Sequence, residues 1–274
     1  MEKLAIVILN YLNYQDTIEC VDSIRRMEYD IAGIVIVDNG SANESYEVLK
    51  KKYNGDSKII VENTGKNLGF ARGNNYGIKI ARARLSAEFV YVVNNDVIFQ
   101  QEDFFKILLG EYDDKIGMIG SKILLKNQKI QTKYYVYVTL KEVMRGYIER
   151  WLIKCDKTVW IYGLPRVDDR KMKQVLHGCG ILFTPAFFRV YKGFYPKTFL
   201  YCEEEILFLI CERYGLTQKY AENAWIYHKE DQSSEMSFQN SSIVKRKYAF
   251  KSYKYVVWWS LKNSLLKVIK NRSF

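Results

Sequence analysis

The stretch NND at 94–96 gathers three small polar side chains at the end of the apolar run VYVV, and only Asp96 among them carries a formal charge. A carboxylate there is suited to hold a hard divalent cation, Mg²⁺ or Mn²⁺, against a diphosphate, with phosphate oxygens and water filling most of the shell. The competing reading is an Asx turn in which Asn94 and Asn95 satisfy nearby backbone groups. Asp38 ends a second apolar run in IVIVDNGS. An acid at that place accepts hydrogen bonds from a pyrimidine imide or a ribose hydroxyl, or else caps the turn that follows. In NLGFARGNN, 67–75, Gly69 and Gly73 permit close backbone approach, and Arg72 offers a guanidinium to phosphate. The spacing is neither G-x-x-x-x-G-K-[ST] nor a strand-linked G-x-G-x-x-G.

Glu203, Glu204 and Glu205 stand together with apolar residues on both sides. Consecutive acids suit the positive end of a helix dipole. Partial burial also lifts a carboxyl pKa toward the range of a general base. The chain has two histidines, His177 in LHGCG and His228 in AWIYHKED. The imidazole of His228 completes a cation shell if the fold carries it to Asp96, and otherwise is structural or exposed. His177 suits a structural role or an acceptor-side loop.

Positioning these groups requires strands that end where they stand. Residues 4–9, 34–37, 58–62 and 88–93 are short apolar runs of the kind buried on both sheet faces. Helical periodicity separates them: Ile18, Val21 and Ile24 over 16–27 with Asp16 or Thr17 as cap, a second helix from Ser45 to Tyr53, and a third after the Gly/Asn-rich loop at 63–75. This alternation predicts an α/β fold with an open, mostly parallel sheet flanked by helices, and ligands at the carboxyl ends of its strands. Further on, 116–124 is strand-like, 126–175 is irregular, 177–183 is a glycine turn entering a strand, and 199–215 is a helix ending at Gly215.

Net charge is +11, yet nine Lys or Arg and no acid fall in 241–274, which leaves the rest near neutral. That imbalance, with no base-reading motif, argues against a nucleic-acid-binding protein. In the tail, Phe250, Tyr253, Val257, Leu261, Leu265 and Val268 recur at helical steps among lysines, with Trp258 and Trp259 between them. This predicts a basic amphipathic helix for an anionic membrane surface, against the alternative of a helix docked on the domain. Five cysteines without a C-x-x-C pair indicate reduced thiols. No apolar run approaches the ~18 residues of a membrane span, and 4–9 is too short for a signal-peptide core. These features predict a cytoplasmic protein, peripheral on the inner face of the plasma membrane.

Taken in order, IVILNY, IVIVDNGS, NTGKNLGFARGNNYGI, VYVVNND, HGCGILF, FLYCEEEIL and AWIYHKEDQSS resemble the family 2 glycosyltransferases, in particular bacterial rhamnosyltransferase-like members, over about residues 4–235. The resemblance implies a glycosyltransferase A-type fold, a nucleotide-diphosphate sugar donor (UDP- or TDP-sugar), a divalent cation, and inversion at the anomeric carbon. The acceptor it implies is a glycan or polyprenyl-linked hydroxyl in cell-surface polysaccharide synthesis.

By position, Asn10, Tyr11 and Asp38 then line the nucleoside. Asn67, Gly69, Arg72, Asn94, Asn95 and Asp96 lie along the donor, and Asp96 and His228 hold the metal. Glu204 aligns with the general base, with Glu203 and Glu205 as alternatives. Three positions depart from the family pattern: the base is Glu rather than Asp, Ile206 stands where many members have a second acid, and Asn94 stands in place of an acid, which argues against tight metal binding. The expected organisation is a catalytic domain over 1–240, with a donor half 1–115 and an acceptor half 116–240, followed by the tail 241–274. The runner-up within enzymes is a nucleotidyltransferase acting on sugar phosphates, but 9–16 lack the basic phosphate loop it needs. Donor sugar, acceptor, linkage and oligomeric state are not assigned by the sequence.

Overall fold

The computed structural model describes residues 2–126, 129–131, 134–137, 139–155, 172–229 and 242–272. Leu4, Ala5, Ile6, Val7 and Ile8 are wholly buried, so the first strand, β1 (Leu4–Asn10), lies mid-sheet with side chains on both faces covered. It pairs in parallel with β2 (Gly33–Asp38) on one side and β4 (Phe89–Asn94) on the other, and β3 (Ile59–Asn63) extends the parallel set beyond β2. Between these strands run α1 (Tyr14–Ile24), α2 (Ser45–Lys52) and α3 (Phe70–Arg84). The predicted caps of α1 lie one turn too late. Asn13 caps it by accepting from the Asp16 N–H at 3.2 Å, while the Thr17 hydroxyl turns to Asn10 Oδ1 at 2.8 Å.

Beyond β4 the sheet is mixed. After β5 (Val97–Ile98) and α4 (Phe104–Gly110) come β6 (Ile116–Leu124), then β9 (Gly180–Phe183), α6 (Pro185–Val190), α7 (Glu203–Arg213) and β10 (Thr217–His228). The sheet order is β3-β2-β1-β4-β9-β6-β10-β5. Strand β9 is antiparallel to both its neighbours, and β6 and β10 run parallel to each other.

The stretch 126–175, expected to be irregular, holds β7 (Tyr134–Tyr137) paired with β8 (Met172–Val175) and, between them, α5 (Leu140–Lys154). Thr139 caps α5 by accepting from the Glu142 N–H at 3.4 Å. The local signature T-x-x-E is therefore present in TLKE and marks the helix start. The start of α7 is also later than 199, because Phe199 to Cys202 form a turn before it.

One apolar layer (Leu4, Ile6, Ile8, Tyr91, Phe104, Phe105) packs α1, α2 and α4 on one face of the sheet. The other (Val7, Val37, Val92, Phe183, Ile206, Trp259) packs α3, α6, α7 and the last helix, α8 (Ser242–Arg272). The helix α8 docks on α5 and α7 through Tyr253, Val256, Trp259 and Asn263, all buried. Tyr253 thus leaves the stripe expected to face a membrane, because Arg150 of α5 lies over its ring at 3.8 Å. The expected domain boundary at 240/241 and the residues after Lys229 in the last motif lie outside the described residues.

Candidate active site

Asp38 is fully buried at the end of β2, where its carboxylate gathers three donors. Asn10 Nδ2 reaches Oδ2 at 2.7 Å, the Ser41 hydroxyl reaches Oδ2 at 2.7 Å, and the Ser41 N–H reaches Oδ1 at 2.9 Å. Asn10 and Asp38 face each other because the register of β1 and β2 pairs them. Together they hold the loop in which Asn39 links to Asn67: Asn39 Nδ2 donates to Asn67 Oδ1 at 3.2 Å, and the Gly69 N–H donates to the same oxygen at 2.8 Å.

Gly69 sits at φ +80° with the Phe199 carbonyl where a Cβ would stand, 2.4 Å away, so only glycine fits. The Phe70 N–H then donates to that carbonyl at 2.8 Å, which ties the start of α3 to the approach of α7. Arg72 lies on the exposed side of this turn, its Nε on the Leu68 carbonyl at 3.0 Å.

Asn95 and Asp96 are buried just past β4. Asn95 Nδ2 donates to the Asn13 carbonyl at 2.9 Å and to Thr17 Oγ1 at 3.2 Å, which anchors it to the start of α1 rather than to the local backbone of an Asx turn. Asp96 is held differently. β5 pairs antiparallel with the end of β10 in the register His228↔Val97, and the Lys229 N–H donates to the Asp96 carbonyl at 3.0 Å. This clamp sets His228 Nε2 3.3 Å from Asp96 Oδ1. Asp96 Oδ1 and His228 Nδ1 are both buried and lack a hydrogen-bond partner among the described residues. A buried carboxylate oxygen left without a donor beside an imidazole nitrogen fits a cation site. No third His, Cys, Asp or Glu joins them among the described residues, so further ligands would be substrate oxygens and water.

These residues line a cavity of about 460 Å³ at the carboxyl ends of β1 and β4. Its wall carries Tyr11, Asn94, Asn95, Asp96 and His228 from the strand ends, His177, Gly178 and Cys179 from the turn before β9, and Tyr201 through Glu204 from the start of α7. Tyr201 and Cys202 are both left-handed, at φ 72° and 68°. Such backbone costs about 1–3 kcal/mol per non-glycine residue and persists only where the surroundings dictate it.

The turn presents two of the three acids to the cavity. Glu203 is buried, its Oε1 has no partner among the described residues, and burial followed by the Glu204 charge pushes its pKa up to about 8. Glu204 accepts from the Gly178 N–H at 3.1 Å, and burial raises its pKa too. A Cβ on Gly178 would come 2.5 Å from Glu204 Oε1, so glycine leaves the room this carboxylate uses. Glu205 turns away to Arg150, Oε1 3.6 Å from Nη2.

Sequence reasoning missed Arg150, which lines the cavity from α5, and Ala249, which lines it from α8. The TLKE capping box marks α5 locally, whereas nothing near Ala249 marks it as a site residue. His177 also reaches the cavity wall, its Nε2 3.0 Å from Gln131 Nε2. The cavity wall does not include Asp38, Asn67, Gly69 or Arg72, which stand beside it rather than on it.

The profile described as Glycosyl transferase family 2 matches residues 5–179, well over half of the chain. The chain belongs to glycosyl transferase family 2. Among curated relatives of this family 2 chain, the glycosyltransferase GlyG of Streptococcus pneumoniae is 25% identical over 50% of this chain and 44% of its own. The low-salt glycan biosynthesis hexosyltransferase Agl10 of Haloferax volcanii is 27% identical over 45% of this chain and 38% of its own. The chain therefore spans less than half the length of these curated relatives.

Solved structures share the fold. TarS 1–349 of S. aureus superposes with a TM-score of 0.54 at 14% identity, covering 95% of this chain and 71% of that one. The mannosyltransferase PcManGT of Pyrobaculum calidifontis, in complex with GDP-Man and Mn²⁺, does so with a TM-score of 0.56 at 12% identity, covering 99% and 76%. The mixed sheet with its helical layers is thus a glycosyltransferase A-type fold.

Proposed function

We propose that this chain is an inverting, metal-dependent glycosyltransferase. It moves a sugar from a nucleotide-diphosphate sugar, UDP- or TDP-linked, to a hydroxyl of a glycan or polyprenyl-linked acceptor in cell-surface polysaccharide synthesis. The observation that carries this reading is a single cavity bearing the Asp96–His228 pair on one wall and the paired acids Glu203 and Glu204 on another. Family membership and structural neighbours in complex with GDP-Man and Mn²⁺ and with UDP-GlcNAc support it.

In this mechanism Tyr11 meets the nucleoside at the cavity wall, Asn10 and Asp38 hold the loop behind it, and Asn67, Gly69, Arg72, Asn94 and Asn95 border the donor. Asp96 and His228 would hold a divalent cation, Mg²⁺ or Mn²⁺, which would supply neutralisation of charge on the leaving diphosphate. Glu204 takes the proton of the acceptor hydroxyl. That oxygen bonds to the anomeric carbon on the face opposite the breaking carbon–oxygen bond, whose electron pair leaves with the diphosphate, so the configuration inverts. Glu203, held up the pH scale by burial, is the alternative base. Glu205 is the weakest of the three because Arg150 occupies it. Residues 1–115 then form the donor half, 116–240 the acceptor half, and 241–274 the tail.

We assign the tail a second surface as well. The face of α8 opposite the docked one leaves Trp258, Leu261, Leu265, Val268 and Ile269 exposed, with Lys262 Nζ over the Trp258 ring at 3.8 Å. Apolar side chains among lysines suit an anionic membrane surface, consistent with a peripheral, cytoplasmic enzyme and a lipid-linked acceptor. No helix among the described residues is long and apolar enough to cross a membrane.

The deciding experiment is a thermal-shift panel of UDP-, TDP- and GDP-sugars with and without Mn²⁺, paired with product analysis for the anomer formed. Stabilisation by one nucleotide class that requires Mn²⁺ supports the reading. No stabilisation by any of them overturns it.

A further inference from the structure

Glu203 and Glu204 owe their direction to a turn that is left-handed at two consecutive non-glycine residues, Tyr201 and Cys202. Cys202 makes no side-chain cap to α7, and α3 reaches only the first residue of the turn, where the Phe70 N–H donates to the Phe199 carbonyl. The partners come from 47 to 52 residues further on. Ser252 Oγ of α8 donates to the Leu200 carbonyl at 2.8 Å, and Cys202 Sγ donates to the Ala249 carbonyl at 3.8 Å. Ala249 and Ser252 are three residues apart, hence on one helix face, and both contact the same three-residue turn. Tyr248, one position earlier, stacks on Phe199 with ring centroids 4.9 Å apart. Ser252 is buried, and Ala249 reaches the cavity wall itself. A second set of bonds attaches α8 to α7 well away from the turn: Asn263 Nδ2 donates to the Leu209 carbonyl at 2.9 Å, and Arg213 Nη1 to the Lys262 carbonyl at 3.2 Å.

We infer that α8 is a working part of the catalytic site, with Ser252 as the positioning residue that holds the 200–202 turn so that the acids of α7 face the cavity. This rests on the reading of Glu204 as the base. It adds that the base is aimed by a helix outside the region the family profile covers. A helix that merely covered the core would need only the apolar contacts of Val256 and Trp259 and the distal bonds. Bonds directed at the carbonyl and thiol of a strained turn serve its geometry.

The test compares Ser252→Ala with Asn263→Ala, each of which removes one side-chain bond of the same helix to a backbone carbonyl. Turnover, KM for the donor, nucleotide affinity and thermal midpoint are measured on the full chain. Ser252→Ala is expected to lower kcat about 10-fold with donor KM and nucleotide affinity within about twofold, and Ser252→Thr, which keeps the hydroxyl, to restore it. Asn263→Ala is expected to lower the thermal midpoint with kcat near that of the parent. Equal losses of kcat in the two alanine variants, or an unchanged kcat in Ser252→Ala, would overturn the inference. Because Ser252→Ala can also reduce the folded fraction, kcat is referred to active sites counted by nucleotide binding. Glu204→Gln run in parallel separates the two readings. If it keeps turnover, the base assignment fails, while the Ser252/Asn263 comparison still judges whether Ser252 positions the turn.

Discussion

His228 Nε2 lies 3.3 Å from Asp96 Oδ1 because the end of β10 pairs with β5, the two-residue strand that follows Asp96 directly. The same pairing brings the Lys229 N–H to the Asp96 carbonyl, and Lys229 Nζ to Asp16 Oδ1 at 2.8 Å and to Glu19. The candidate cation site is thus closed by backbone pairing from the far end of the chain.

With two protein donors among the described residues, Mn²⁺ should bind the free protein weakly and bind well once a nucleoside diphosphate supplies oxygens. His228→Ala should weaken Mn²⁺ binding about 10-fold or more in the presence of UDP, and Asp96→Asn should weaken it further. Calorimetric titration of Mn²⁺ with and without UDP measures both. Tight Mn²⁺ binding without nucleotide would refute the shared shell.

Glu204→Gln should cut turnover by about 10²–10⁴-fold while nucleotide binding stays measurable, since the amide keeps the size and loses the basicity. The raised pKa of Glu204 places the acid limb of the pH–rate profile above that of an ordinary carboxylate, with turnover rising as pH rises through it. A Gln variant with near-parental turnover removes Glu204 from the mechanism.

Gly178→Ala is expected to act on the same carboxylate without unfolding the protein. The added Cβ meets the far end of a flexible side chain rather than backbone, so Glu204 can move aside. A displacement near 1 Å lowers catalysis by about 10²-fold. Steady-state kinetics beside a thermal melt reads the two effects separately, and parental kcat in a folded variant contradicts the contact.

Burial of Glu203 has a consequence for stability. Its folded pKa of about 8 stands above its unfolded value, so the folded state holds a proton that the unfolded state has released. The stability associated with that proton is fully present below the unfolded pKa and is lost as pH rises from there through about 8, at a slope of at most ~1.4 kcal/mol per pH unit. Glu203→Gln should flatten this slope and gain relative stability at alkaline pH. Urea unfolding across that range gives the comparison, and parallel curves for the two proteins would count against a neutral Glu203.

On the outer face of α8, Leu265→Glu changes an exposed residue and leaves the docked face intact. It should reduce co-sedimentation with vesicles of phosphatidylserine and phosphatidylcholine without changing nucleotide binding. Equal pelleting of variant and parent would remove the membrane from this surface.

The residues by themselves determined the first four strands and their ends. A run such as LAIVIL cannot be left in water, and the polar residues that follow it mark where the sheet stops. Asp38 and Asp96 were legible as candidates for that reason, the acids at 203–205 because apolar residues flank them, and the basic tail because 241–274 holds nine Lys or Arg and no acid. The antiparallel insertion of β9 between β4 and β6 was not legible, because strand direction depends on which partner a strand finds and not on its composition. The cap of α1 went to Asn13 because Thr17 was taken by Asn10, a competition visible only once β1 and α1 are packed.

Tertiary structure alone decided which glutamates enter the cavity. Helix α7 turns Glu205 to Arg150 and leaves Glu203 and Glu204 at the wall, although the three are identical in sequence. It also decided that α8 lies on α5 and α7, since both faces of that helix carry apolar residues and periodicity cannot say which one is covered. Local pattern reflects each residue's transfer from water, whereas pairing, register and burial are settled by contacts distant in the chain.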